Sequence, residues 1–229
     1  MRVSTFLPLT NIIERPTAVE APFDPPHTIA SQSCGFGHKV FTPLPFYLSK
    51  PMSEPIVQPR RVGLYPVATT HARILILGSM PSEVSLANAR YYAHPTNRFW
   101  SLMGLLFPQH QTYFASGDFN ERYEGLKQLK IALWDTIGSC IRVGSDDGAI
   151  RDAVPNDIAG FLAKHPSIGL VLLNGNKSAD MWRRYLDESA RRVRPDLRVR
   201  PLPSTSAANA VYTLGTLKSS WSTALDGYR

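Results

Sequence analysis

Short apolar runs recur along the last two thirds of the chain, and a small or polar residue ends most of them. An uninterrupted apolar run of about five residues is typical of a strand that is buried on both faces of a parallel sheet. The last run is more polar and contains Pro201, which favours an edge strand. The predicted strands are 73–77, 131–135, 168–173 and 197–202.

Helical patterns separate these strands. They run over 97–106, 156–164, 177–192 and 216–225. Strands that alternate with helices predict an α/β fold, namely a three-layer α/β/α sandwich around a central, mainly parallel four-stranded sheet with right-handed crossovers. In such a sheet the ligand site lies at the carboxyl ends of the strands.

The beginning of the chain has a different texture. More than half of its 19 prolines lie within residues 1–66, where no apolar periodicity persists. We therefore predict a proline-rich, disordered N-terminal extension over 1–66 and a folded domain over 67–229. A docking segment and an extension without a role are both compatible with this composition.

Composition narrows the class of function. The 25 Lys and Arg residues outnumber the 18 Asp and Glu residues and give a net charge of +7, which favours an acidic partner such as nucleic acid. Two cysteines are too few for a disulfide framework or a cysteine-only iron–sulfur site. We therefore expect no metal and no cofactor. No secretory signal or membrane-spanning run precedes Glu14, so we expect a cytoplasmic protein with no membrane partner.

Four loops follow the predicted strands, and all are small, polar and rich in turn formers. Glycine and serine let backbone N–H groups approach a phosphate or a base closely, because these residues impose little bulk. A Ser-Thr-Ser sequence is also an ordinary helix entry, so each loop alone is compatible with a structural role. The loops are 78–85, 135–140, 174–178 and 203–209.

Residues 91–100 combine four aromatic side chains with His94, Asn97 and Arg98. Aromatic faces can hold an unstacked base while Arg or His meets a phosphate. Phe99 and Trp100 are expected on the core face of the helix that follows. The residues before them are expected at the surface or in a site, although Asn97 could instead cap that helix.

The order of four motifs resembles the uracil-DNA glycosylase superfamily over residues 73–229. They are Gly78-Ser-Met-Pro81, Leu133-Trp-Asp135, Leu172-Leu-Asn174 and Leu202-Pro-Ser-Thr-Ser206. Together with Tyr-Tyr-x-His-Pro-x-Asn-Arg-Phe-Trp, they are similar to the hypoxanthine-DNA glycosylase branch, also called DNA-deoxyinosine glycosylase. The resemblance implies a hydrolase of base excision repair that flips a deaminated base, hypoxanthine, out of double-stranded DNA and hydrolyses its N-glycosidic bond.

Two residues depart from the uracil-excising pattern. Met80 stands where those relatives have a water-activating Asp or Asn, and Leu202 stands where the best known have a leaving-group His. A thioether neither orients nor deprotonates water. The resemblance implies that Asn97 takes over by positioning water, and that Asp135 reads the base. If ionised, the Asp135 carboxylate would accept from N1–H of hypoxanthine and reject adenine.

The resemblance thus predicts three groups of site residues. The catalytic residues are Asn97 and Asp135; the base pocket is Gly78, Ser79, Met80, Pro81, Tyr91, Tyr92 and Asn174; and the DNA contacts are Ser82, Ser85, His94, Arg98, Ser204, Thr205 and Ser206.

Two other functions stay open. One is a uracil or G:T/G:U mismatch glycosylase, because N3–H of uracil presents a donor similar to N1–H of hypoxanthine. The other is a non-catalytic nucleic-acid-binding module. Nothing in sequence beside Lys177 favours Schiff-base chemistry, so we expect a monofunctional enzyme acting as a monomer. The arginines of 183–200 are expected on a solvated face.

Overall fold

The structure of the protein is a computed structural model, and it describes residues 59–228. The predicted N-terminal extension lies outside the described residues as far as residue 58. No helix within 59–228 is long and apolar enough to cross a membrane.

The centre of the fold is a parallel four-stranded sheet, as predicted. Its strands are β2 (Ile74–Gly78), β3 (Ile131–Asp135), β6 (Leu170–Asn174) and β7 (Arg198–Leu202), with spatial order β3-β2-β6-β7. Ile74 lies opposite Ile131 on one side and Leu170 on the other. The central strand β2 is buried along its whole length, because helices cover both faces of the sheet.

Helices form the two outer layers. One layer holds α2 (Phe99–Leu106), α3 (Gln111–Ala115), α4 (Phe119–Gln128) and α8 (Leu214–Ala224); the other holds α5 (Ile158–Lys164), α6 (Asn176–Met181), a π-helical turn (Trp182–Leu186) and α7 (Asp187–Val193). Ile74 and Ile76 pack into the first apolar cluster, while Leu75 and Leu77 pack into the second. This two-residue alternation confirms the α/β/α sandwich.

A small antiparallel sheet was not predicted. Its strands are β1 (Arg60–Val62), β4 (Ile137–Ile141) and β5 (Arg151–Pro155), in the order β1-β4-β5. Their short runs mix apolar and polar residues, so they lack a clear strand pattern. The folded part of the chain also begins before the expected boundary at residue 67, because β1 pairs with β4 and Gly63 N–H donates to Gly138 O at 2.8 Å.

The arginine-rich helical face is solvated, as expected. Three arginines of this face pair with carboxylates one helical turn away, and the side chains of all three arginines are substantially exposed. The pairs are Arg183 with Asp180, Arg191 with Asp187, and Arg192 with Glu188. Exposed pairs of this kind contribute little to stability.

Candidate active site

The carboxyl ends of the four parallel strands open into one cleft of about 820 Å³. The last residue of each strand lies on its wall: Gly78, Asp135, Asn174 and Leu202. The short helix α1 (Glu83–Ala87) follows the first of these strand ends. The structure therefore brings together the four loops that the strand pattern placed at one edge of the sheet.

Most of the predicted site residues lie on the wall of this cleft. They are Gly78, Ser79, Met80, Pro81, Ser82, Ser85, Tyr91, Tyr92, Asn97, Asp135, Asn174, Ser204, Thr205 and Ser206. His94 and Arg98 are not on the wall. The His94 ring instead bonds within its own turn, where Nδ1 lies 2.9 Å from Oγ1 of Thr96.

Asp135 is the most deeply placed carboxyl of the cleft wall. Its side chain packs against Gly78, where a Cβ atom would collide with Oδ1 of Asp135. Its Oδ2 is buried and has no hydrogen-bond partner among residues 59–228. Gly78 is thus required because it leaves room for this carboxyl group.

The pKa of Asp135 is raised from 3.8 to about 8, mainly by burial and also by the Asp147 charge, while Arg142 opposes the shift. Asp135 is therefore mostly protonated at neutral pH. This corrects the assumption of an ionised carboxylate. A neutral carboxyl group both donates and accepts a hydrogen bond, so it would pair with the edge of adenine as well, and the expected rejection of adenine does not follow from Asp135.

The Asn97 side chain has two roles in the geometry. Its Oδ1 accepts from the N–H of Phe99 at 3.0 Å, which caps the start of α2, and the side chain also lies on the cleft wall. The N-cap residue itself is Arg98, so Asn97 supports the start of the helix from one residue before the cap position. A carbonyl oxygen has a second lone pair, and the amide N–H groups have no acceptor within 59–228. The predicted catalytic role is compatible with this arrangement and stays a prediction.

Asn174 joins two walls of the cleft. Its Nδ2 donates to the Tyr92 hydroxyl at 3.1 Å and to Oγ1 of Thr205 at 3.0 Å. Its Oδ1 accepts from Thr205 N–H at 2.9 Å. Both the nitrogen and the oxygen of the Asn174 amide are therefore hydrogen-bonded within the protein, and they fix the positions of Tyr92 and Thr205. This role differs from the direct base contact that the sequence suggested.

The neighbouring residues Tyr91 and Tyr92 differ in the contacts that their side chains make. Tyr91 is a core residue, 3% exposed, and its hydroxyl donates to the backbone oxygens of Leu64 and Tyr65 at 3.2 and 3.1 Å. Tyr91 is therefore not a surface residue, but it lies on the cleft wall, and its place in the base pocket stays a prediction. Tyr92 adopts φ +53 and stacks on Phe99 with ring centroids 3.9 Å apart. Its hydroxyl nevertheless stays at the cleft, beside Asn174.

Two of the predicted DNA contacts are buried. Ser85 is 2% exposed, and its Oγ accepts from Ala93 N–H at 3.2 Å. Thr205 is fully buried against Asn174. These two hydroxyl groups serve the fold, so the predicted phosphate contacts are corrected. Ser82 caps α1.

Ser204 and Ser206 are partly exposed beside the cleft. The Ser204 hydroxyl accepts from the backbone N–H of Ser206, and the Ser206 hydroxyl accepts from the backbone N–H of Ala208. Their predicted contacts with phosphate stay predictions.

Arg98 holds a loop instead of facing DNA. Its guanidinium donates to four backbone carbonyl oxygens of the segment 205–212: Thr205 at 3.3 Å, Ser206 at 2.5 Å, Asn209 at 3.0 Å and Tyr212. With all three guanidinium nitrogens engaged, Arg98 has little capacity left for phosphate. The predicted DNA contact is therefore replaced by a structural one.

An unpredicted network holds the opposite loop. Ser79 Oγ lies 2.8 Å from both carboxylate oxygens of Asp147, and Arg142 Nη1 lies 4.0 Å from the same carboxylate. Arg142 is 2% exposed and also donates through Nη2 to Pro81 O. Sequence reasoning missed both charged residues, because they flank a loop between two strands that carried no recognisable pattern.

The Met80 side chain points into the fold. It is 6% exposed and packs in an apolar cluster with Ile137, Cys140, Ile150 and Met181. Ser79 and Met80 both line the cleft, and neither backbone N–H group has an acceptor among the described residues. The loop after β2 therefore offers backbone donors where relatives were expected to offer a polar side chain.

An α/β/α sandwich with a polar cleft at its strand ends has the architecture of a protein that binds a ligand at that edge of the sheet. The model of the Uracil DNA glycosylase superfamily matches residues 65–224. This chain belongs to that superfamily.

Similar proteins agree with this family. The chain is 37% identical to the hypoxanthine DNA glycosylase of Methanosarcina barkeri over 121 residues, which are 53% of this chain and 75% of the relative. It is 33% identical to the hypoxanthine DNA glycosylase of Methanosarcina acetivorans over 147 residues, or 64% and 87% of the two chains. A solution NMR structure of a candidate uracil DNA glycosylase from Methanosarcina acetivorans superimposes with a TM-score of 0.59 at 27% identity, covering 72% of this chain and 98% of that one.

Proposed function

We propose that this DNA glycosylase is a monofunctional, monomeric enzyme that flips hypoxanthine out of duplex DNA and hydrolyses its N-glycosidic bond. The observation that carries the proposal is one cleft that holds a neutral carboxyl group at Asp135, two free backbone N–H groups at Ser79 and Met80, and the amide of Asn97. The names of the two archaeal relatives support hypoxanthine as the base.

The chemistry needs stabilisation of the departing base. Hydrolysis passes through an oxocarbenium-like sugar, while negative charge develops on the base and reaches O6 of hypoxanthine. A protonated Asp135 donates to that oxygen, and its carbonyl oxygen accepts from N1–H. The N–H groups of Ser79 and Met80 add fixed donors in the same cleft. Asn97 holds water for attack on the sugar by proximity, because an amide is too weak a base to remove its proton.

A second substrate is supported by the same observation. Uracil presents an N–H next to a carbonyl oxygen, as hypoxanthine does, and a neutral carboxyl group pairs with either edge. Excision of uracil or of mismatched pyrimidines therefore follows from Asp135 as well.

The test is base release from matched duplexes that carry one deoxyinosine, one deoxyuridine or one G:T mismatch, with alkali to cut the abasic sites. We expect release from deoxyinosine first. Release mainly from deoxyuridine would replace hypoxanthine by uracil as the substrate, and binding without any release would contradict an enzyme.

The role of Asn97 needs a variant that keeps the helix cap. Asn97→Ala removes both the cap and the amide, and we expect at least about a tenfold lower single-turnover rate. Asn97→Ser keeps an oxygen that can accept from Phe99 N–H. An equally slow Asn97→Ser variant with wild-type thermal stability supports water positioning, whereas a wild-type rate in Asn97→Ser assigns the residue to capping alone.

A further inference from the structure

The cleft wall carries an unexpected charge pattern. Within residues 59–228 its side chains include Asp135, Asp146, Asp147 and Asp180 but a single lysine or arginine, Lys177. Bound duplex DNA would place phosphates near this wall. The lysine of the wall would attract these phosphates, and its ionised carboxylates would repel them.

The carboxylates that would repel phosphate are mostly compensated. Asp147 faces Arg142 at 4.0 Å, and Asp180 pairs with Arg183 at 2.7 Å. The carboxyl group of Asp135, at the end of β3, carries little charge at neutral pH, because its pKa is raised to about 8, mainly by burial. Asp146 accepts a hydrogen bond from a backbone N–H in its own turn. The acidic side chains thus have internal partners, with Asp146 the least compensated among them.

The charge of Lys177 lies close enough to Asp147 to lower the pKa of that carboxyl group, but the Lys177 ammonium group makes no direct contact with it. Within 59–228 the ammonium group forms no ion pair and no side-chain hydrogen bond. The two arginines nearest the cleft loops are engaged, since Arg98 binds backbone carbonyls and Arg142 is buried behind Asp147. Lys177 is therefore the one described lysine or arginine of the cleft wall, and no salt bridge holds its ammonium group away from an incoming anion.

The position of Lys177 suits a phosphate that flanks the flipped nucleotide. It lies two residues after Gly175, where φ is +103 and a Cβ would come within 2.9 Å of Cβ of Ser204. Gly175 N–H also donates to Leu202 O at 2.9 Å. This close approach brings the start of α6 beside the loop that carries the partly exposed Ser204 and Ser206 hydroxyls, while the Lys177 charge acts on Asp147 across the cleft.

We propose that the Lys177 ammonium binds a backbone phosphate of the damaged DNA strand, next to the nucleotide that enters the cleft. The proposal rests on the proposed glycosylase function. It gives this wall a phosphate contact that replaces the one the sequence assigned to Arg98.

The test is the salt dependence of binding to a duplex with one 2′-fluoro-deoxyinosine, a probe whose fluorine slows hydrolysis of the glycosidic bond. One phosphate contact contributes a slope of about 0.9 to the dependence of log K on log salt. We expect Lys177→Gln to lower the slope by that amount. If binding of the two proteins is equal at about 1 M salt, the variant binds about eightfold more weakly near 0.1 M.

Two variants serve as controls. Lys177→Arg keeps the charge and should keep the wild-type slope. Lys164→Gln removes a charge from the last turn of α5, at the opposite edge of the sheet, and should also leave the slope unchanged. An unchanged slope in Lys177→Gln, or an equal loss in Lys164→Gln, overturns the proposal. Failure of the wild-type protein to excise the base from unmodified deoxyinosine contradicts the proposed function instead, whatever the salt slopes are.

Discussion

Two loops on the cleft wall are each held by an arginine, one mainly through hydrogen bonds to backbone carbonyls and the other through a buried charge that a carboxylate balances. The Pro203 loop (203–212) is tied to Arg98 through four backbone carbonyls, and every guanidinium nitrogen has an acceptor. The Gly78 loop (78–82) receives one hydrogen bond from the buried Arg142, whose Nε and Nη1 have no hydrogen-bond partner in the described chain. Asp147 supplies the balancing charge at 4.0 Å.

Because of this difference, the two loops should respond differently to a change in pH. Directional hydrogen bonds to neutral carbonyls do not change with the protonation of a carboxyl group, so the Pro203 loop should keep its form across ordinary pH. The Gly78 loop lies between two carboxyl groups, Asp147 and Asp135, which affect each other. Its electrostatics should change when either one gains or loses a proton.

The largest effect is expected for Asp135→Asn. The amide can accept from N1–H but cannot give up a proton to the departing base, so we expect a single-turnover rate about 100-fold lower. The wild-type rate should fall as pH rises through about 8, because ionisation removes the donor. A rate that instead rises through pH 8 would contradict donation by Asp135. The measurement is excision under enzyme excess between pH 6 and pH 9.

The same variant should be more stable than the wild type. The Asp135 carboxyl ionises near 3.8 when exposed and near 8 when folded. Between these values the folded chain retains a proton that the unfolded chain has lost, so the free energy of unfolding falls as pH rises. Asparagine lacks this dependence. Its advantage should grow from pH 4 to pH 8, reach a few kcal/mol and then level off. Denaturant unfolding at several pH values tests this; a constant difference would contradict the raised pKa.

Sequence reasoning recovered the framework because its signals are local. The run Ile74–Gly78 is apolar throughout, and its polar successors had to lie at the sheet edge that now forms the cleft. The pattern could not show which polar side chains are consumed inside the fold. Arg98 and Thr205 are close in space but 107 residues apart, so their hydrogen bond leaves no local trace. Arg142 lies beyond a strand with only mixed polarity.

A smaller effect is expected for Arg98→Lys, which tests the Pro203 loop. Lysine keeps the charge but loses the planar fork that reaches several carbonyls. If Arg98 holds the loop, the variant should lose about 2 kcal/mol of unfolding free energy and excise about tenfold more slowly. If Arg98 binds phosphate, lysine should preserve activity and the salt slope. Lys218→Arg, an exposed charge-preserving change on α8, serves as the control.

The smallest effect is expected for Asp147→Asn, which tests the Gly78 loop. Ser79 can still donate to the amide oxygen, so the loop should keep its shape, while Arg142 loses its balancing charge. Because the Asp147 side chain is 44% exposed, we expect a loss of only about 1 kcal/mol in unfolding free energy.

The distinctive result for Asp147→Asn is a shift in the pH profile of excision. The Asp147 charge raises the pKa of Asp135, so its removal should move the fall in rate to lower pH. Asp146→Asn changes the neighbouring carboxylate, which has no bond to Ser79, and should move the profile less. Equal shifts in the two variants would assign the effect to total charge, whereas a shift confined to Asp147→Asn supports a specific link between Asp147, in the loop that joins β4 to β5, and the carboxyl group of Asp135.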